Sequence, residues 1–242
     1  MIALLGTYLS LALCASPALF RKQTRGWVFV LLIVLLGDFD AIVMGSFIQR
    51  MLSGGALHYT WFYKGFSVAL NLVIAITLIA MGKFRARELG LTFVQAPGTG
   101  RAVLTVILPI FLLQATLFAL HGGSRDHSLE TLLFQATMPG LSEELLFRGL
   151  LLALFDRMFA ARFRILGAEL SYGAIVTSLA FGLLHALPHD ANFAHLNIAH
   201  GISAAIGGFL LVWLRCRSRS LVLPVVVHNL FNLLFHIVPK VA

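Results

Sequence analysis

Apolar residues in this chain come in long unbroken runs divided by short polar segments, with no alternation of apolar and polar positions. Eight runs stand out, at about 2–20, 26–47, 61–82, 102–121, 131–155, 169–188, 199–214 and 220–239. Each continues for 16 or more residues, which predicts helices and excludes an outer-membrane barrel, whose two-sided strands must alternate. A helix needs about 20 apolar residues to cross a bilayer. The pattern therefore predicts an all-α polytopic membrane bundle of about eight transmembrane helices, forming one integral-membrane domain over 1–242. Composition agrees, with 59% hydrophobic residues against 12% charged and a mean hydropathy of +0.91. These values leave no room for a separate water-soluble catalytic domain. Cys14 and Cys216 are too few for a disulfide scaffold. Basic residues follow the first run rather than precede it, so it reads as an uncleaved first helix and not a signal peptide. The Leu-Ala-Leu-Cys ending at Cys14 lacks the small residue a lipoprotein box places before its cysteine.

A formal net charge of +8 suggests nucleic acid at first sight, but the charges are gathered between the apolar runs, so no nucleic-acid partner is expected. Connections after the first, third, fifth and seventh runs hold Arg21, Lys22, Arg25, Lys83, Arg85, Arg87, Arg101, Arg157, Arg162, Arg164, Arg215, Arg217 and Arg219, thirteen basic residues. The connections after runs two, four and six hold only Arg50 and Arg125. By the positive-inside rule the first set is cytoplasmic and both termini lie outside, as expected in a bacterial cytoplasmic (inner) membrane.

Ionisable residues inside a span cost on the order of 3 kcal/mol even on mild scales, so each is a functional candidate. The fifth run carries the densest group, Pro139-Gly140-Leu141-Ser142-Glu143-Glu144-Leu145-Leu146-Phe147-Arg148-Gly149. Glu144 and Arg148 are four apart and share a face, so they can pair. Glu143, about 100° around the helix, must find a partner elsewhere or hold a proton, a condition suited to a general base. The bland alternative is that both glutamates pair with Arg148 to lock the bundle. His185 ends Phe181-Gly182-Leu183-Leu184-His185 in the sixth run, and His228 and Asn232, also four apart, project together from the eighth. Glutamate, two histidines and asparagine can form a water-activating site with an oxyanion clamp or the first shell of a divalent metal.

Glu-Glu-x-x-x-Arg, Phe-x-x-x-His and His-x-x-x-Asn, in this order on separate membrane helices, resemble the CPBP family of intramembrane proteases. That family includes the prenyl-protein (CAAX) endopeptidases and the bacterial Abi-type processing and immunity proteins. The likeness extends over about 85–238, with Glu88-Leu89-Gly90-Leu91 and Pro97-Gly98 similar to the loop before the family's core helices, and leaves the N-terminal helices, 1–84, outside. The resemblance implies a polar intramembrane chamber and peptide-bond hydrolysis in a membrane-anchored or lipid-modified protein or peptide. It implies that Glu143 and His185 activate water, His228 and Asn232 hold the oxyanion, and Glu144 and Arg148 shape the site. Glu143, His185 and His228 remain open as ligands of a metal such as zinc, or as a set that works without one.

Other polar residues read more plainly. His189 marks the end of the sixth span, and His195, His200 and His236 belong to loops or interfaces. Asp38 and Asp40, two apart, face different ways, and one of them can line a water path or pair with Lys64. Asn71 suits interhelical glue, and Gly201, Gly207 and Gly208 permit close packing. The rival readings are a non-enzymatic immunity or transport protein and a cytoplasm-facing CAAX-type endopeptidase. Against transport, no paired repeat with interrupted helices is visible. Counting inward from the predicted ends places Glu143 ~18 Å and His185 ~5 Å from the outer face, so the chamber is expected to open from mid-membrane toward that face. An outward-opening chamber favours exported precursors with a C-terminal sorting tail.

Overall fold

The computed structural model describes residues 2–124, 126–187 and 196–239. Among them, eight helical runs lie where the apolar pattern predicts. Helix α1, Ile2–Ala15, runs into a 3-10 turn at Ser16–Phe20. Next come α2, Arg25–Ser53, and α3, Trp61–Ala80. Helix α4, Thr99–His121, contains a π-helical stretch at Val103–Ile107. Helix α5 runs through Leu129–Glu144, a π-helical stretch Leu145–Leu151, and Leu152–Met158. Helices α6, Tyr172–Ala186, α7, Ile198–Ser218, and α8, Val222–Ile237, complete the bundle. Five of these helices, α1 to α4 and α7, are long and apolar enough to cross a membrane, while α6 and α8 are shorter apolar helices. The protein is integral to the membrane.

Helix starts follow local chemistry. Ser128, Ser171 and Asn197 each turn a side-chain oxygen onto a first-turn N–H, that of Thr131, Ala174 and His200 respectively, satisfying donors with no partner inside the helix. Before α5, outside the membrane, Asp126 accepts from the Thr131 hydroxyl and the Ser128 N–H, which hold its carboxyl down at about 2.

The sixth helix is shorter than its apolar run. Strands β1, Arg162–Ile165, and β2, Ala168–Ser171, pair antiparallel, so 169–171 are strand and not helix as the run predicts. Leu166 and Gly167 both have positive φ, 45° and 78°, as a two-residue hairpin turn demands. Leucine resists that region, which is why the turn is silent in the sequence. Trp213 Nε1 donates to Ile165 O at 3.1 Å and holds the hairpin to α7.

Three of the four predicted basic connections meet in space. Arg157 donates to Lys83 O and Glu88, Arg215 to Glu88 O and Arg217 to Pro97 O, while Ser220 Oγ bonds Thr92 O. The 83–98 loop, the α5 end and the α7–α8 turn thus meet at one end of the bundle. At the other end Glu130 accepts from the backbone of His58 and Tyr59 and from Trp61 Nε1.

Helices α6 and α7 pack most closely. A Cβ on Gly201 would lie 2.4 Å from Ala186 Cβ, and one on Gly182 2.6 Å from Ala205 Cβ. Gly208 also sits against a neighbour, its O accepting from Arg148, whereas Gly207 faces open space. Of the three glycines expected to permit close packing, Gly201 and Gly208 do so. Gly201→Val should therefore destabilise the detergent-solubilised protein by about 1–3 kcal/mol through overpacking, with Gly207→Val near wild type. Thermal melts of the two variants side by side check this.

Candidate active site

Helix α5 carries the candidate residues Glu143, Glu144 and Arg148, and a proline, Pro139, stands inside it. Pro139 removes one backbone donor. Asn229 of α8 sutures the turn that follows, Oδ1 accepting from Gly140 N–H at 2.7 Å and Nδ2 donating to Thr137 O at 3.1 Å. Only glycine fits there, since a Cβ on Gly140 would lie 2.6 Å from Asn229 Oδ1 and 2.7 Å from Val225 O. One turn later Glu143 and Glu144 precede the π-helical stretch, a feature frequent at functional sites.

Glu144 and Arg148 are fully buried and paired, Arg148 Nη1 donating to Glu144 Oε1 at 2.9 Å. The other arm, Nη2, donates to Gly208 O at 3.0 Å, and the guanidinium lies 4.5 Å over the Phe181 ring. Glu144 Oε1 also meets His228 Nδ1 at 2.7 Å. A carboxylate only accepts, so Nδ1 carries the proton and His228 presents Nε2 to the site. That nitrogen is 3.8 Å from Glu143 Oε2. His185 is oriented likewise, with Nδ1 donating to Phe181 O at 2.8 Å. The Phe181 ring lies between the two histidines, 4.5 Å from His185 and 5.9 Å from His228 by centroids.

Glu143 does find its partner elsewhere: Lys64 Nζ of α3 donates to Oε1 at 2.6 Å. Its Oε2 is buried and has no hydrogen-bond partner among the described residues. Lys64 therefore does not pair with Asp38 or Asp40. Asp38 is buried and accepts from Tyr8 and Ser67, with Asn71 Nδ2 at 3.4 Å, whereas Asp40 is exposed. Asn71 acts as the expected interhelical glue. Asn232 lies one turn beyond His228, half-buried, and its side chain makes no hydrogen bond to another described residue. His200 is exposed at the start of α7 with its ring 5.5 Å from that of His185, and His236 bonds Asp126 O at 3.1 Å. His189 and His195 lie outside the described residues.

The arrangement does not fit a three-ligand zinc site. Among the described residues no three His, Cys, Asp or Glu side chains are placed to hold a metal ion, and the Lys64 ammonium takes the Glu143 oxygen that a cation would seek.

Residues 125–234 match the family model described as Type II CAAX prenyl endopeptidase Rce1-like. Those residues are an Rce1-like type II CAAX prenyl endopeptidase domain. The Rce1-like domain contains α5 to α8 with Glu143, Glu144, Arg148, His185, His228 and Asn232, and excludes α1 to α4 with Lys64. No curated protein and no solved structure matches the chain.

Two contributors escape sequence reasoning. Asn229 is hidden beside the more conspicuous His228, and its signal is Pro139, a proline inside a helical run. The role of Lys64 is foreshadowed by Ser67 and Asn71, three and seven residues on, which mark one polar face of α3.

Because Arg148 and Glu144 are wholly buried, removing either strands the other charge. Glu144→Ala and Arg148→Ala should each cost ~3–5 kcal/mol, seen as lower yield and melting temperature in detergent. Arg148→Lys should not restore stability, since one ammonium cannot span Glu144 and Gly208 O as the planar fork does.

Proposed function

We propose that the chain is an intramembrane endopeptidase that hydrolyses a peptide bond in a membrane-associated protein, with Glu143 as general base. The observation that carries this reading is the Glu143 Oε2 atom, buried, without a hydrogen-bond partner among the described residues, and 3.8 Å from His228 Nε2. A carboxylate oxygen in that state accepts a proton from water. His185 Nε2, freed by the Nδ1 bond to Phe181 O, is the second acceptor that orients the water.

In the proposed reaction Oε2 takes a proton from water as the water oxygen bonds to the carbonyl carbon. The carbonyl π pair moves onto oxygen, where the charge is met by the Asn232 amide and the His228 imidazole, which Glu144 orients through Nδ1. Collapse of the adduct breaks the C–N bond, and Glu143 passes its proton to the leaving nitrogen, giving a carboxylic acid and an amine. These groups together form the polar chamber.

We place the chamber opening at the end away from the basic loops, and hence the termini outside. Lys64 is one turn into α3 from Trp61, and His185 is the penultimate residue of α6, both at the end opposite the basic cluster. Glu143 is ~21 Å along α5 from Leu129 by helix rise, midway along the helix. The positions of Lys64 and His185 support exported precursors with a C-terminal membrane-spanning tail as substrates. The family description itself favours a second reading, a prenylated cytoplasmic tail, which requires the opposite orientation.

Glu143→Gln, His185→Ala and His228→Ala should each lower cleavage of a tail substrate ~10²-fold or more while leaving folded protein. Near-wild-type cleavage by Glu143→Gln would overturn the assignment. For orientation, single cysteines at Lys22 and His58, in a background lacking Cys14 and Cys216, should react with an impermeant thiol reagent in intact cells at 58 only. Labelling at 22 alone would restore the cytoplasmic tail.

A further inference from the structure

We infer that Lys64, contributed by a helix outside the Rce1-like domain, is a positioning residue that selects which oxygen of Glu143 acts as the base. This deepens the endopeptidase reading and rests on it. Lys64 Nζ holds Oε1 at 2.6 Å, and the remaining oxygen, Oε2, is the one that faces His228. Without Lys64 the carboxyl rotates freely and its two oxygens become equivalent. It also loses the cation that keeps it ionised in an apolar surround.

The placement of Lys64 is built and not incidental. Its side chain is buried, and a buried ammonium persists only when paired. Ser67 Oγ donates to Asp38 Oδ1, Asn71 Nδ2 lies 3.4 Å from the same oxygen, and Tyr8 OH donates to Oδ2. Lys64, Ser67 and Asn71 share a face of α3, so locking two of them on α2 fixes the rotation that aims the third at α5. The approach of α2 is equally defined, since a Cβ on Gly45 would sit 2.5 Å from Tyr63 Cα, the residue before Lys64.

His228 of α8 and His185 of α6 act on Glu143. Asp38 of α2 and the neighbouring Tyr63 act on Lys64. Within α5, Glu144 and Arg148 neutralise one another. Lys64 is thus the cation assigned to Glu143.

The test has an arm that needs no substrate. A hydrophobic carbodiimide reacts with protonated carboxyls inside membranes, and adducts at Glu143 are read by mass spectrometry on the full-length protein in detergent. Lys64→Met should raise the rate of Glu143 modification at neutral pH on the order of tenfold or more, and Lys64→Arg should keep it at the wild-type level. In the cleavage assay Lys64→Met should lower kcat with KM little changed and move the acid limb of the pH–rate profile upward, effects that a merely structural role would not produce. Unchanged modification and an unchanged pH profile in Lys64→Met would overturn the proposal. Should Lys64→Met fail to accumulate, Lys64→Met/Glu143→Gln should restore folded protein, and failure of that rescue would equally overturn it. Wild-type protein inactive on every tail substrate counts against the endopeptidase reading, whereas unchanged labelling in an active enzyme counts against Lys64 alone.

Discussion

Four charged side chains, Lys64, Glu143, Glu144 and Arg148, meet inside an apolar bundle, and the rest of the structure is arranged around the cost of keeping them there. Each ion alone carries a desolvation penalty of several kcal/mol. Two positive and two negative charges cancel as contacting pairs at 2.6 and 2.9 Å. The pairs are not equivalent. Arg148 is also bonded to Gly208 O and stacked over Phe181, so the Glu144 pair is rigid and belongs to the scaffold. Lys64 holds its glutamate by one oxygen only, which leaves the other buried without a hydrogen bond among the described residues.

That division of labour depends on backbone irregularity. A regular α5 would present Glu143 and Glu144 with no special accommodation for the facing helices. Pro139, the close approach of Val225 O to Gly140, and the π-helical stretch after Glu144 bring α8 near enough for Asn229 and His228 to reach across. Gly182 and Gly201 do the same between α6 and α7. Small residues and a proline are therefore the means by which long polar side chains from four helices converge.

Much of this was legible in the sequence, for physical reasons. Apolar runs mark helices because every backbone polar group in a bilayer must be bonded within its own segment. Glu144 and Arg148 could be paired from spacing alone because helix geometry makes i and i+4 neighbours. What could not be read is contact between distant segments. Lys64 could be foreseen to need an acid, yet Asp38, Asp40 and Glu143 were all available, and only the packing of α3 decides among them. The 162–171 hairpin was missed because its turn, Leu166-Gly167, carries a leucine where turn chemistry calls for glycine or asparagine.

The pairing of Lys64 with Glu143 also bears on why the chain has its N-terminal helices at all. The Rce1-like domain begins after α4, and it holds both histidines, Asn232, and the Glu144–Arg148 pair. It does not hold the cation that balances Glu143. By itself that domain leaves the Glu143 carboxylate without its ion-pair partner in an apolar medium, where an unpaired charge is costly. Helix α3 brings the missing positive charge, and α1 and α2, through Tyr8, Asp38 and Gly45, fix where it points. The N-terminal helices are on this view part of the electrostatics of the site, which explains the polar stripe Lys64, Ser67 and Asn71 in a span that would otherwise face its neighbours with apolar residues alone.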